Sequence, residues 1–211
     1  MEKKMTYKTV LKANRTEMIE KKSRFIASVK PVTTEQEAID FINEIRAEFR
    51  DATHNVYAYV ISDNNITRYS DDGEPGGTAG VPTLEVLNKE HLTDVAVVVT
   101  RYFGGTLLGA GGLVRAYGKS AKLGVDAAVI TEKVYCHELL IRAPYDLLGK
   151  IRYLIENGEY ILGEIEYETD VCITAFVKYD LLNQFQKEIT EATNGAVSPE
   201  ICGELYVDNI L

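Results

Sequence analysis

The chain has 211 residues, 45% hydrophobic and 26% charged, a size that suits two cores of roughly 100 residues each. No run approaches the ~20 apolar residues of a membrane span, and the opening MEKKMTYKTVLKANRTEM lacks the apolar block of a secretory signal, so a cytoplasmic, non-membrane setting is expected. The net charge of −9 is unevenly placed: residues 1–130 hold 17 Lys+Arg and 17 Asp+Glu, whereas residues 131–211 hold 6 against 15, so a phosphate-rich ligand has to meet the first part.

In chain order, residues 25–32 and 55–61 read as strands around a helix at 35–49, where Ala38, Ile42, Ile45 and Phe49 recur at helical spacing behind a Thr34/Glu37 capping box. SDDGEPGGTAGVP at 70–82 reads as a long surface loop, TLEVLNKEHL as a helix that Thr78 or Thr83 could cap, and VAVVVT at 95–100 as a strand buried on both faces. A glycine-rich turn leads into a helix over 113–130 with Leu113, Val114, Ala121 and Val125 as its apolar face. The first domain is expected to cover residues 1–133. From 134 to 211 the pattern is strand, helix, two strands around Glu168-Thr169-Asp170, a helix stopped by Asn194-Gly195, and a strand near ELYVD. This β-α-β-β-α-β order is the ferredoxin-like arrangement, and the fold class is α+β.

The candidate chemistry lies in the first domain. Val95 to Val125 contains no acidic residue but carries Arg101, Arg115, Lys119 and Lys122, the last three at helical spacing on one face. Gly104, Gly105, Gly109, Gly111 and Gly112 precede that helix and let backbone N–H groups approach an anion. The stretch is not a P-loop, because Ala110 and Gly111 occupy the Lys and Ser/Thr places. Close packing of strand and helix explains the same glycines. Asp71, Asp72 and Glu74 could hold Mg²⁺ or form a solvated turn. His54 could serve as a general base or as a packing residue, and Tyr102 and Phe103 could stack on bases or on the sheet. Cys136, Cys172 and Cys202 read as reduced core or strand residues. His54, His91 and His137 have no partners at metal-ligand spacing, so neither a structural metal nor a cofactor is expected.

The runs Asp71 to Pro82, Thr100 to Thr106 and Leu108 to Tyr117, with Ser23-Arg24-Phe25 and Ala52-Thr53-His54-Asn55, resemble the sequence pattern of the IMPACT family in its bacterial branch. The resemblance covers nearly all of residues 20–130. It implies a first domain of the ribosomal protein S5 domain 2-like fold and a second like the ferredoxin-like last domain of elongation factor G. It also implies association with RNA or the ribosome, and no catalytic residue set. Eukaryotic relatives act on translation through a protein partner, the activator of an initiation-factor kinase, which their different accessory domain keeps from carrying over to this chain.

The leading expectation is therefore a non-catalytic, translation-linked binding protein using Arg101, Arg115, Lys119 and the glycine loop against RNA. Two alternatives stand beside it: a metal-assisted enzyme built on Asp71, Asp72, Glu74 and His54 that acts on a small phosphorylated or peptide-like substrate, and a protein–protein regulator working through the acidic second domain. The oligomeric state is not legible.

Overall fold

The computed structural model describes residues 5–209 and divides them into two units, residues 7–132 and residues 133–209, the latter joined by residues 5 and 6. The first four residues of the N-terminal segment discussed above lie outside the described residues.

β1 (Thr6–Val10) belongs to the first unit from Tyr7 onward; its Thr9 hydroxyl donates to the Asp94 carbonyl and its Val10 enters the core. β2 (Asn14–Glu20) and β3 (Ser23–Pro31) form a hairpin. After α1 (Glu35–Glu48) come β4 (His54–Ile61), β5 (Ile66–Ser70), α2 (Gly80–Lys89), β6 (Val95–Tyr102) and α3 (Ala110–Ala127). The sheet order is β2-β3-β6-β4-β5 with every neighbour antiparallel. Alternation along β6 sets the layers. Val95, Val97 and Val99 pack with Leu113, Tyr117, Ala121 and Val125 of α3, while Ala96 and Val98 join Phe41, Ile42 and Ile45 of α1 on the opposite face. A strand covered on both sides needs an unbroken apolar run, as VAVVVT supplies.

Several elements depart from the sequence expectations. β2 and β5 were not legible because they are edge strands rich in polar and charged residues, among them Arg15, Glu17 and Arg68, which break up the apolar pattern of a strand. α2 begins at Gly80, inside the stretch read as a loop. Neither threonine caps it: the Thr78 hydroxyl donates to Pro75 O and that of Thr83 to Ala79 O, one turn back in the helix. The N–H groups of Ala79 and Gly80 instead reach Asp71 Oδ1 at 3.0 and 2.8 Å, and that of Gly77 reaches Oδ2 at 2.9 Å. α3 starts three residues early, behind Gly109 at φ +72°, a conformation that favours glycine. Its apolar face includes Ala116 and Tyr117 but not Val114, which is exposed. The capping box of α1 is half as expected: Thr34 accepts from the Glu37 N–H, but Glu37 accepts from the N–H of Thr33.

The second unit contains most of β7 (Ile130–Ala143), then α4 (Tyr145–Asn157), β8 (Tyr160–Tyr167), β9 (Val171–Lys178), α5 (Leu182–Ala192) and β10 (Glu200–Asp208). Its strands run β10-β7-β9-β8, all antiparallel, the ferredoxin-like order. Leu139, Ile141, Ile173, Ala175 and Val177 meet Ile151 and Ile155 of α4 and Phe185 and Ile189 of α5. Asn194 and Gly195 both take positive φ and end α5, with Gly195 N–H on Thr190 O. All three cysteines are free. Cys136 is buried, which pushes its thiol pKa up to about 11, whereas Cys202 lies exposed on β10.

Candidate functional site

The end of β6 turns one side chain inward. Arg101 has the same strand parity as Val95, Val97 and Val99, so its guanidinium enters the layer beneath α3 instead of facing solvent. Only 6% of the side chain is exposed. Nη1 donates to Glu74 Oε1 at 2.6 Å and Nη2 to Ser23 Oγ at 3.3 Å, and the guanidinium lies 5.5 Å from both the Phe25 and Phe103 ring centres. Glu74 is equally buried, its side chain 3% exposed. The same oxygen accepts from the Tyr117 hydroxyl at 2.8 Å and lies 3.7 Å from His54 Nε2. His54 Nδ1 is 2.7 Å from the Asp72 carbonyl, which only accepts, so Nδ1 carries the hydrogen. Burial and the neighbouring Glu74 charge raise the Tyr117 phenol far above its ordinary value and keep it a donor.

This geometry corrects two sequence expectations. Arg101 is a buried partner of Glu74 and is not free to meet phosphates. The carboxylates of Asp71, Asp72 and Glu74 do not converge as a metal cage, because each faces different donors, and only Asp71 bonds the local backbone as a turn residue would. Asp71 takes three backbone N–H groups, Asp72 takes Arg46 Nη2 at 3.0 Å and Asn55 N–H at 2.6 Å, and Glu74 takes Arg101 and Tyr117. Among the described residues no group of three or more His, Cys, Asp or Glu converges as metal ligands. Ser23, Asn55, Thr100 and Tyr117 belong to the same network and were missed. Thr100 donates to Asn55 Oδ1 at 2.7 Å, and the i+4 spacing of Leu113, Tyr117 and Ala121 was the available signal for Tyr117.

The Asp71 cap yields a pH prediction. Burial works to raise its carboxyl, but the N–H donors of Gly77, Gly80 and Ala79 outweigh it and hold the pKa below the ordinary value. A depressed carboxyl contributes stability above its unfolded value of about 3.9 and loses it as pH falls through the lower folded value. Asp71→Asn is expected to cost about 1–2 kcal/mol at neutral pH. That difference should shrink as pH falls through the lower folded value, as urea unfolding at neutral and at acidic pH will report.

Around this buried network lies a cationic surface. Gly104 presses on the β2–β3 hairpin: a Cβ placed there would sit 2.0 Å from Lys22 C and O. Its N–H reaches Ser23 Oγ. Tyr102 is half-buried, its hydroxyl on Asp51 and its ring under Arg24. Gly105, Gly109 and Gly111 are exposed, and Gly112 packs on Leu108. α3 has no side-chain cap and no acidic residue in its first turn, so no carboxylate of its own first turn neutralises its leading N–H groups. Arg115, Lys119 and Lys21 line a pocket of about 200 Å³ with Glu20, Gly112 and Leu108. Arg115, Lys119 and Lys21 form no ion pair among the described residues. Lys122 shares a second pocket with Arg115, as the helical spacing predicts, but is held there by Glu90 and Asp126. The structure therefore splits the predicted residues into an inner set, with Arg101, Glu74 and Thr78 buried and Asp72 and His54 half-buried, and a solvent-facing set around Arg115 and Lys119.

The same segments carry the kinship. Residues 21–125 match the Impact N-terminal domain, and residues 141–196 match a domain of unknown function, DUF1949. The IMPACT family member YvyE of Bacillus subtilis is 46% identical over 191 residues, 90% of this chain and 88% of that protein. This chain belongs to the IMPACT family. YigZ of Escherichia coli, another member, is 31% identical over 84% of this chain and 88% of its own length. The Protein IMPACT homolog of Dictyostelium discoideum is 40% identical over 95 residues, 43% of this chain and 27% of that protein. A crystal structure described only as that of a hypothetical protein superposes with a TM-score of 0.61 at 28% identity, over 95% of this chain and 98% of its own. Among the described residues no helix is long and apolar enough to cross a membrane.

Proposed function

We propose that this IMPACT family protein is a non-catalytic, translation-linked regulator that binds RNA, free or in the ribosome, through the first unit. The observation that carries this reading is the pocket at the start of α3. Arg115, Lys119 and Lys21, which form no ion pair among the described residues, line it with Glu20 beside a glycine-flanked helix N-terminus with no acidic residue in its first turn. Helix N–H groups and mobile cations together favour phosphate oxygens. Membership of the family supports a regulatory, translation-linked role in general.

The charge division agrees: residues 131–211 carry the whole acidic excess and would repel a phosphate backbone, which leaves the first unit as the contact surface. A metal-assisted reaction is disfavoured because Asp71, Asp72 and Glu74 are each occupied by protein donors. Arg115→Ala with Lys119→Ala is expected to weaken RNA affinity about tenfold or more at low salt. Because both side chains are exposed, thermal unfolding should stay unchanged. Equal affinity in wild type and double variant would remove the proposal.

A further inference from the structure

We infer that Phe103 is a stacking platform for an unpaired base, so that the RNA taken by this surface is single-stranded or looped; the inference rests on the RNA-binding reading above. Phe103 is 46% exposed although it follows a strand whose preceding residues are almost all buried. One side of its ring faces the Arg101 guanidinium, which lies 5.5 Å from its centre and 5.5 Å from that of Phe25. Arg101 is itself fixed by Glu74 and Ser23. The Phe103 backbone is pinned as well, its N–H donating to Thr53 Oγ1 at 3.1 Å, and Gly104 behind it lies against the Lys22 backbone.

An aromatic ring that is backed by a fixed cation, held at its backbone and 46% exposed loses little freedom when a base is laid on it. The loop that starts at Phe103 runs through Leu107, 83% exposed, to Leu108, which lines the Arg115–Lys119–Lys21 pocket. One short segment thus joins an apolar surface to the phosphate-binding cations, the pairing that single-strand recognition uses. Duplex RNA keeps its bases stacked inside and can offer this surface only phosphates and hydroxyls. Arg101 is a positioning residue for this platform.

The test uses the full-length protein and three fluorescent probes of equal length: a mixed-sequence single-stranded RNA, the same strand with abasic sites throughout, and a blunt RNA duplex. Wild type is expected to bind the intact strand about tenfold tighter than the abasic strand. Phe103→Ala should erase that preference with the salt dependence unchanged, and Phe103→Tyr should retain it. Phe103 is partly exposed, so melting temperatures of both variants should match wild type and separate stacking from unfolding.

Salt-dependent binding to all three probes, with Phe103→Ala indistinguishable from wild type, would overturn the stacking role and leave the RNA reading standing. Absence of binding to every probe at low salt would overturn both. A Phe103→Ala defect confined to vesicles of phosphatidylcholine and phosphatidylglycerol, with RNA affinity untouched, would also overturn the inference and assign the ring to a lipid surface.

Discussion

Arg101→Ala is expected to destabilise the first unit by about 3–5 kcal/mol, because it leaves the Glu74 carboxylate buried without its cation. The loss also removes the donor to Ser23 and the support behind Phe103. Glu74→Ala should cost a similar amount, since it strands the guanidinium and deprives the buried Tyr117 hydroxyl of its acceptor. Replacing both charges, Arg101→Met with Glu74→Gln, keeps a carbonyl acceptor for Tyr117 and should recover a large part of either single loss. Hydrogen exchange followed by mass spectrometry reads this out unit by unit. The amides of β6 and α3 should lose protection in both single variants, and those of α4 and α5 should not. Equal protection in wild type and Arg101→Ala would mean that the ion pair contributes nothing to the fold.

Gly104→Ala is expected to be nearly as damaging, at roughly 3 kcal/mol, through an unrelated cause. Its added Cβ would fall 2.0 Å from Lys22 C and O and 2.4 Å from Ser23 N, backbone atoms with no flexible end to swing aside. Either the β2–β3 hairpin or the loop after β6 must move. Gly105→Ala makes a useful contrast, because nothing lies within 4 Å of its added Cβ and only the positive φ of 78° opposes the substitution. That conformational penalty is about 1 kcal/mol. Denaturant midpoints should therefore rank wild type, Gly105→Ala, Gly104→Ala in falling order.

These two sites also mark how far the sequence can be read. The core of β6, the helix over Tyr145–Asn157 and the Asn194-Gly195 stop are encoded within a few neighbouring residues, and local periodicity finds them. The role of Arg101 is encoded across the chain: its partner Glu74 is 27 residues away, and Tyr117 is 43 residues from that carboxylate. A basic residue at the end of a valine run reads as the point where the strand reaches solvent. Only the strict period of two, carried from Val95 through Val97 and Val99 to Arg101, predicts the inward direction. The Asp71 to Pro82 run misled for a related reason. Its glycines and acids are loop-like in composition, yet Asp71 spends its oxygens on the first N–H groups of α2 and so fixes where the helix begins. Arg115 and Lys119 were legible because exposure on a helix follows from spacing alone. Lys21 was not, since a hairpin turn 94 residues from Arg115 in the chain meets it only after folding.

The central claim is that the free cations at the start of α3 meet RNA phosphates, and the dependence of RNA affinity on salt tests it most directly. With Arg115, Lys119 and Lys21 engaged, the logarithm of the association constant for single-stranded RNA should fall against the logarithm of salt concentration with a slope of about −2. The Arg115→Ala, Lys119→Ala double variant should retain a slope of about −0.7. A slope of zero in wild type, or no detectable complex at about 50 mM salt, would contradict the account.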